Sequence, residues 1–214
     1  MSHDLKTPLT SIISYVDLLD KEQLNNERAE GYVDVLVDKS FLLKQLIEDL
    51  IEASKASSGN LSVARERVDL KQLVLQAGGE FGEKLESAGL TFKVNCNEDA
   101  VIWADGKHMW RIVENLLSNI VKYAMPNSRV YADILKTEDK GILVVKNISA
   151  QPIEVKSDML TERFIRGDEA RTTEGSGLGL SIAKSLTDLQ GGLFRIDIDG
   201  DLFKVTIEMP LWTE

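Results

Sequence analysis

The sequence predicts an α+β fold, a helical hairpin followed by an α/β sandwich, from three observations. Apolar residues between Leu5 and Leu50 recur at spacings of three and four, the period that gathers one face of a helix. Beyond residue 68, strand-like and amphipathic helical stretches interleave without strict alternation, which suits helices layered on a sheet. No apolar run approaches the roughly 18 to 20 residues needed to span a bilayer.

In the hairpin, Leu5, Leu9, Ile12, Val16 and Leu19 form the seam of a coiled-coil-like helix. A polar break at 20–27 precedes Tyr32, Leu36, Lys39, Leu43, Leu46 and Leu50 in the same rhythm, flanked by Val33, Leu42, Ile47 and Ile51. Two helices joined by a short connection cannot bury such wide faces on each other. Closure with a second copy, as a homodimeric four-helix bundle, is therefore expected, and packing against the rest of the same chain is the alternative. Ser57, Ser58, Gly59 and Asn60 end the second helix, and 61–67 reads as a connecting strand or linker. The expected division is a hairpin at 1–58, a linker at 59–67 and a second domain at 68–214.

The second domain is expected to open with a helix at 70–87, strands at 90–95 and 101–104, and a long amphipathic helix at 107–123. Strands at 129–136 and 142–147, a turn-rich region to Gly175 and a helix at 177–190 follow. Strands at 193–198 and 202–208 close the chain as a hairpin, because Asp199-Gly200 between them is a strong turn signal.

Composition narrows the function. The 214 residues are 43% hydrophobic and 28% charged, enough for a sizeable core. Lys plus Arg is 25 against 35 Asp plus Glu, a net charge of -10 that speaks against holding nucleic acid or an anionic membrane surface. Cys96, the single cysteine, cannot form an internal disulfide, and the chain does not begin with a signal-peptide pattern, so a reducing cytoplasmic setting is expected. Cys96 itself is expected in the core of a strand.

Three segments carry the chemistry. Glu174-Gly175-Ser176-Gly177-Leu178-Gly179-Leu180 spaces glycines at alternate positions just before an apolar helix. Glycines let backbone N–H groups approach a polyanion, and the helix N-terminus adds partial positive charge. A flexible turn has the same composition, so this loop alone leaves both readings open. Asn115, Asn119 and Lys122 share one face of the long helix, while Leu116, Leu117, Ile120 and Val121 supply the buried one. Two amide oxygens and a lysine suit a magnesium-bound triphosphate, whereas the same residues on a solvated face would mean nothing. Finally, His3-Asp4-Leu5-Lys6-Thr7-Pro8-Leu9 opens the first helix. A neutral imidazole is a good nucleophile toward phosphorus, Asp4 can hold its proton, and Thr7 lies one turn on, where a hydroxyl could orient water. His108 reads as an ordinary surface residue in the first turn of its helix.

Together and in this order, these segments resemble the cytoplasmic core of sensor histidine kinases of two-component systems, over nearly the whole chain. His3 to Leu9 is similar to the phosphoacceptor box, Asn115 to Tyr123 to the asparagine box, Arg163 to Asp168 to the phenylalanine-containing segment, and Gly175 to Gly179 to the second glycine box. The resemblance implies a dimeric hairpin domain joined to an ATP-binding sandwich shared with gyrase and mismatch-repair ATPases. It implies ATP and Mg2+ as cofactors, a response regulator receiver domain as partner, phosphorylation of His3 with Asp4 as polarising base, and a phosphatase role for Thr7. Asn119, aided by Asn115, would coordinate magnesium. Lys122, Tyr123, Arg166, Gly175, Ser176, Gly177, Leu178 and Gly179 would line the nucleotide, under a lid between Asn147 and Gly175.

The sequence departs from the family at Lys146-Asn147-Ile148-Ser149-Ala150-Gln151, where an Asp-x-Gly-x-Gly box usually reads the adenine amine, and Asn147 stands in the aspartate's place. Phe203 stands where many relatives carry a small polar residue. The family also has about three turns of helix before the histidine, where this sequence has Met1 and Ser2. The natural protein is therefore expected to continue upstream into a signal-transmitting segment and a membrane-anchored sensor, with no membrane contact by these 214 residues themselves. Two rivals remain. One is a silent nucleotide-binding module acting as phosphatase or dimeric scaffold; the other is a gyrase-type ATPase with Glu114 activating water.

Overall fold

The computed structural model describes residues 10, 12–19, 27–57, 61–153, 159–161 and 177–213. The chain divides into two compact units, Met1–Ser54 and Lys55–Glu214. His3, Asp4, Thr7, Arg166, Gly175 and Ser176 lie outside the described residues, as does most of the expected lid.

The first unit holds α1 (residues 12–19) and all but the last three residues of α2 (Glu27–Ser57), helical as the apolar period requires. Val16 and Val33 are buried, yet the seam residues Leu36 and Leu43 stand 50% and 46% exposed, with Ile12, Leu19, Tyr32 and Leu50 also open.

The first strand of the second unit is β1 (Glu66–Asp69), which starts inside the span read as linker, and α3 (Leu70–Glu80) and α4 (Gly82–Ser87) follow. The single helix expected over 70–87 is broken at Phe81, whose buried ring anchors the junction; Gly78, Gly79 and Gly82 weaken the helix on both sides. Then come β2 (Thr91–Cys96), β3 (Val101–Ala104), α5 (Gly106–Tyr123), β4 (Arg129–Lys136) and β5 (Lys140–Ile148). Among the described residues, a 3-10 turn (Met159–Thr161), α6 (Gly179–Leu189), β6 (Leu193–Asp199) and β7 (Leu202–Pro210) follow. Cys96 is half-buried at the end of β2, its Sγ 3.3 Å from the Glu98 carbonyl, and not in the core as expected.

Five strands form one mixed sheet in the order β2-β4-β5-β7-β6; β2 pairs parallel with β4 and the other pairs are antiparallel. β1 and β3 pair separately. Strand alternation sends Ile134, Leu143 and Ile207 to one face of the sheet, all 1% exposed or less. α3 touches β2 and β4, α6 touches β6, and α5 packs on α3 and α6. Ile112, Leu117, Ile182 and Leu186 are also no more than 1% exposed, and each such side chain contributes about 1.5–3 kcal/mol by leaving water. The Asp199-Gly200 signal is realised as the tight β6–β7 turn, with Gly200 at φ 57°.

Candidate functional site

The site grows from α5. Asp105 caps this helix, its side chain accepting hydrogen bonds from the Lys107 and His108 N–H groups, and the apolar residues Met109, Ile112, Val113, Leu116, Leu117 and Ile120 turn inward. Asn119 is half-buried and Lys122 exposed, as a polar row predicts. Asn115 belongs to neither a solvated face nor an apolar one: it is 8% exposed, and its Nδ2 is buried without a hydrogen-bond partner. Such an orphan donor is costly unless a ligand or water completes it.

Against these amides lies the start of α6. Gly177 has φ 66°, a conformation that favours glycine, and the chain then enters the helix through Leu178 with no side-chain cap on the first turn. A Cβ at Gly179 would stand 3.3 Å from Asn115 Oδ1 and 3.7 Å from the Asn119 amide atoms, so the two sequence-predicted segments converge. The first turn of α6, the glycine backbone and the amides form one cradle, with backbone N–H donors of the kind a polyphosphate accepts and carbonyl oxygens suited to a hard cation. The Leu178 side chain is 1% exposed and packs in the core; its expected contact with nucleotide is thereby limited to backbone.

Asn147 lies near the C-terminal end of α5. It is 5% exposed in β5, donates through Nδ2 to the Ile148 carbonyl at 3.2 Å and is directly opposite Phe203 in β7. β5 and the end of α5 are joined by the Met125 N–H to Ile148 carbonyl bond at 2.8 Å and the Ala150 N–H to Tyr123 carbonyl bond at 2.9 Å. These bonds bring Asn147 into the neighbourhood of half-buried Tyr123. Glu114, the base that a gyrase-type reaction would use, accepts a hydrogen bond from Arg111 at 2.8 Å.

Sequence reasoning missed the residues that hold the opposite end of α5. Burial alone would raise the Asp105 carboxyl; hydrogen bonds from the Ala64, His108 and Lys107 N–H groups, with the nearby His108 ring, outweigh it and hold the carboxyl below its ordinary value. His108, expected at the surface, has a side chain only 14% exposed, with Nδ1 3.8 Å from Asp105 Oδ2. An aspartate just before an amphipathic helix is a legible cap signal; the fully buried Gln190 at the end of α6 had none.

The family model described as "Histidine kinase-, DNA gyrase B-, and HSP90-like ATPase" matches residues 104–213, which contain both halves of the cradle. The chain belongs to this ATPase family. A second family model, the "His Kinase A (phospho-acceptor) domain", matches residues 1–59. Together they make the chain a sensor histidine kinase core, a helical region followed by an ATP-binding domain. It is 30% identical over 213 residues to the sensor protein VanS of Enterococcus faecium, covering 98% of this chain and 55% of that protein. It is 30% identical to the histidine protein kinase SaeS of Staphylococcus aureus, covering 94% of this chain and 59% of that protein. The chain thus spans little more than half the length of these relatives. Full-length ShkA crystallised with AMPPNP shares the fold with a TM-score of 0.86 at 21% identity, over 100% of this chain and 45% of that one. Acinetobacter baumannii AdeS shares it with a TM-score of 0.67 at 17% identity, over 99% of this chain and 98% of that one. Among the described residues, no helix is long and apolar enough to cross a membrane.

Proposed function

We propose that this histidine kinase core transfers the γ-phosphoryl group of ATP to His3 and then to an aspartate of a response regulator receiver domain, and that it also dephosphorylates that partner. The observation that supports this reading most strongly is the meeting of Gly179 with Asn115 and Asn119, beside the buried and unpaired Asn115 Nδ2.

In this reading, a free imidazole nitrogen of His3 forms a bond to the γ-phosphorus as the bond to the bridging oxygen breaks and ADP leaves, with Asp4 taking the proton from the other ring nitrogen. Thr7 orients water in the reverse, phosphatase task. Asn119 and Asn115 hold Mg2+ through their amide oxygens, the Gly175–Gly179 backbone with Ser176 and Leu178 borders the phosphates, and Lys122, Tyr123 and Arg166 complete the lining. Bound magnesium offsets the charge of the triphosphate. Asn147 accepts from the adenine amine through Oδ1, its Nδ2 being engaged by the Ile148 carbonyl.

The exposed Leu36 and Leu43 support a homodimer through the hairpin, with the phosphoacceptor domain at 1–58, a linker at 59–67 and the catalytic domain at 68–214. The family resemblance supports a cytoplasmic setting within a membrane-anchored sensor.

Incubation with magnesium and γ-labelled ATP tests the reading. An acid-labile, alkali-stable label is expected on the chain and is expected to vanish in His3→Gln. A label that persists in the variant overturns the assignment of His3. The uncharged Asn147 favours a second reading, a silent ATP-binding module, which predicts nucleotide binding and dimerisation with no phosphohistidine.

A further inference from the structure

At the ends of α5 and α6 away from the cradle, a buried polar node joins the two helices to the segment before β1. Gln190, 0% exposed, accepts the Asp105 N–H through Oε1 at 2.7 Å and donates through Nε2 to the Leu186 carbonyl at 2.8 Å. The same Nε2 lies 3.9 Å from Met109 Sδ. Asp105 divides its carboxylate: Oδ1 accepts from Lys107 and His108 N–H at 3.0 and 3.1 Å, while Oδ2 accepts from the Ala64 N–H at 2.8 Å. Arg65 then donates through Nη2 to the Gln190 carbonyl at 3.2 Å. Adjacent residues of the incoming segment are thus tied one to each helix.

The geometry gives these ties leverage. Gly179 meets α5 at Asn115 and Asn119, whereas Gln190 meets it at Asp105 and Met109, so the helices run antiparallel. A tie at one end sets the axial register at the other. A slip of one residue moves a helix about 1.5 Å, more than the roughly 1 Å misplacement that can disable a catalytic site. Losing the glutamine amide would also strand the Asp105 N–H in the interior.

We propose that Asp105 and Gln190 are positioning residues that hold α5 and α6 in the register nucleotide binding needs, and that the Ala64–Arg65 segment is latched to them so that nucleotide and latch strengthen each other. The proposal rests on the nucleotide reading above. Coupling of this kind is reciprocal: a latch that favours nucleotide is itself favoured by nucleotide.

The test uses the full 214-residue chain with Mg-AMPPNP, following amide hydrogen exchange at Ala64 by NMR and affinity by calorimetry. In the unmodified chain, nucleotide is expected to slow Ala64 exchange about fivefold or more. Asp105→Asn keeps an oxygen to cap Lys107 and His108 but places an amide nitrogen where Ala64 needs an acceptor. It is expected to abolish the slowing and weaken nucleotide binding about fivefold. Arg65→Met, at an exposed position, leaves both helices' own bonds intact and is expected to reduce both effects partially, which keeps the test decisive if Asp105→Asn does not fold. Ala64 exchange that ignores a bound nucleotide, or Arg65→Met with unaltered affinity and exchange, overturns the latch. Absence of binding by the unmodified chain overturns the nucleotide reading first, and the latch with it.

Discussion

The hairpin and the sandwich are built from the same helical period and end in opposite states of burial. Leu36 of α2 is 50% exposed, whereas Ile112 of α5 is 0% exposed. Both sit on apolar faces of amphipathic helices. The difference is supply: α5 has α3, α6 and β1 of its own unit packed against it, while the hairpin unit has no sheet to offer among its described residues. A helical period therefore reports the width of an apolar face and is silent about what covers it.

The comparison can be broken most strongly at the hairpin. The double variant Leu36→Asp, Leu43→Asp is expected to weaken dimerisation by at least about a hundredfold, the equivalent of two apolar contacts, and to leave the melting of the sandwich in place. Sedimentation equilibrium beside calorimetry reads both. A dimer that survives would mean that these faces are covered from within the chain.

In the sandwich the converse holds. Ile112→Ala is expected to destabilise it by about 2–5 kcal/mol in urea unfolding, through lost transfer energy and a cavity, with dimerisation unaffected. At the cradle, Gly179→Val places carbon within the 3.3 Å that separates a bare Cβ from Asn115 Oδ1. Nucleotide affinity is expected to fall at least about tenfold in calorimetry, with little change in melting temperature. Unchanged affinity would remove the cradle from the nucleotide site.

The smallest expected effect is electrostatic. Burial raises the Asp133 carboxyl, but the Lys146 ammonium and Asn95 amide outweigh it and leave the carboxyl below its ordinary value of 3.8. Because the folded value is the lower one, the stability it adds is complete above the unfolded value and is lost as pH falls through the folded one. Unfolding of the sandwich between about pH 5 and 2 is expected to depend less steeply on pH in Asp133→Asn than in the parent chain.

Much of this protein was legible locally. The strand at Arg129–Lys136 and the turn after Asp199 follow from alternation and turn chemistry, because those signals reside in neighbouring residues. The glycine loop and the asparagine face of the long helix were likewise visible as separate candidates, each with a bland alternative, a flexible turn and a solvated face. Their meeting was not, since Gly179 and Asn115 are joined by packing and share no pattern in the chain. The break at Phe81, the covering of His108 and the burial of Leu178 belong to the same class, each depending on what the fold brings alongside. Asp105 and Gln190 show the limit most plainly: 85 positions separate them, and no period or spacing connects an aspartate cap to a glutamine at another helix's end. Short-range order is written in the chain because it depends on neighbours a few residues away; long-range pairing exists only once the core has chosen which helix lies against which.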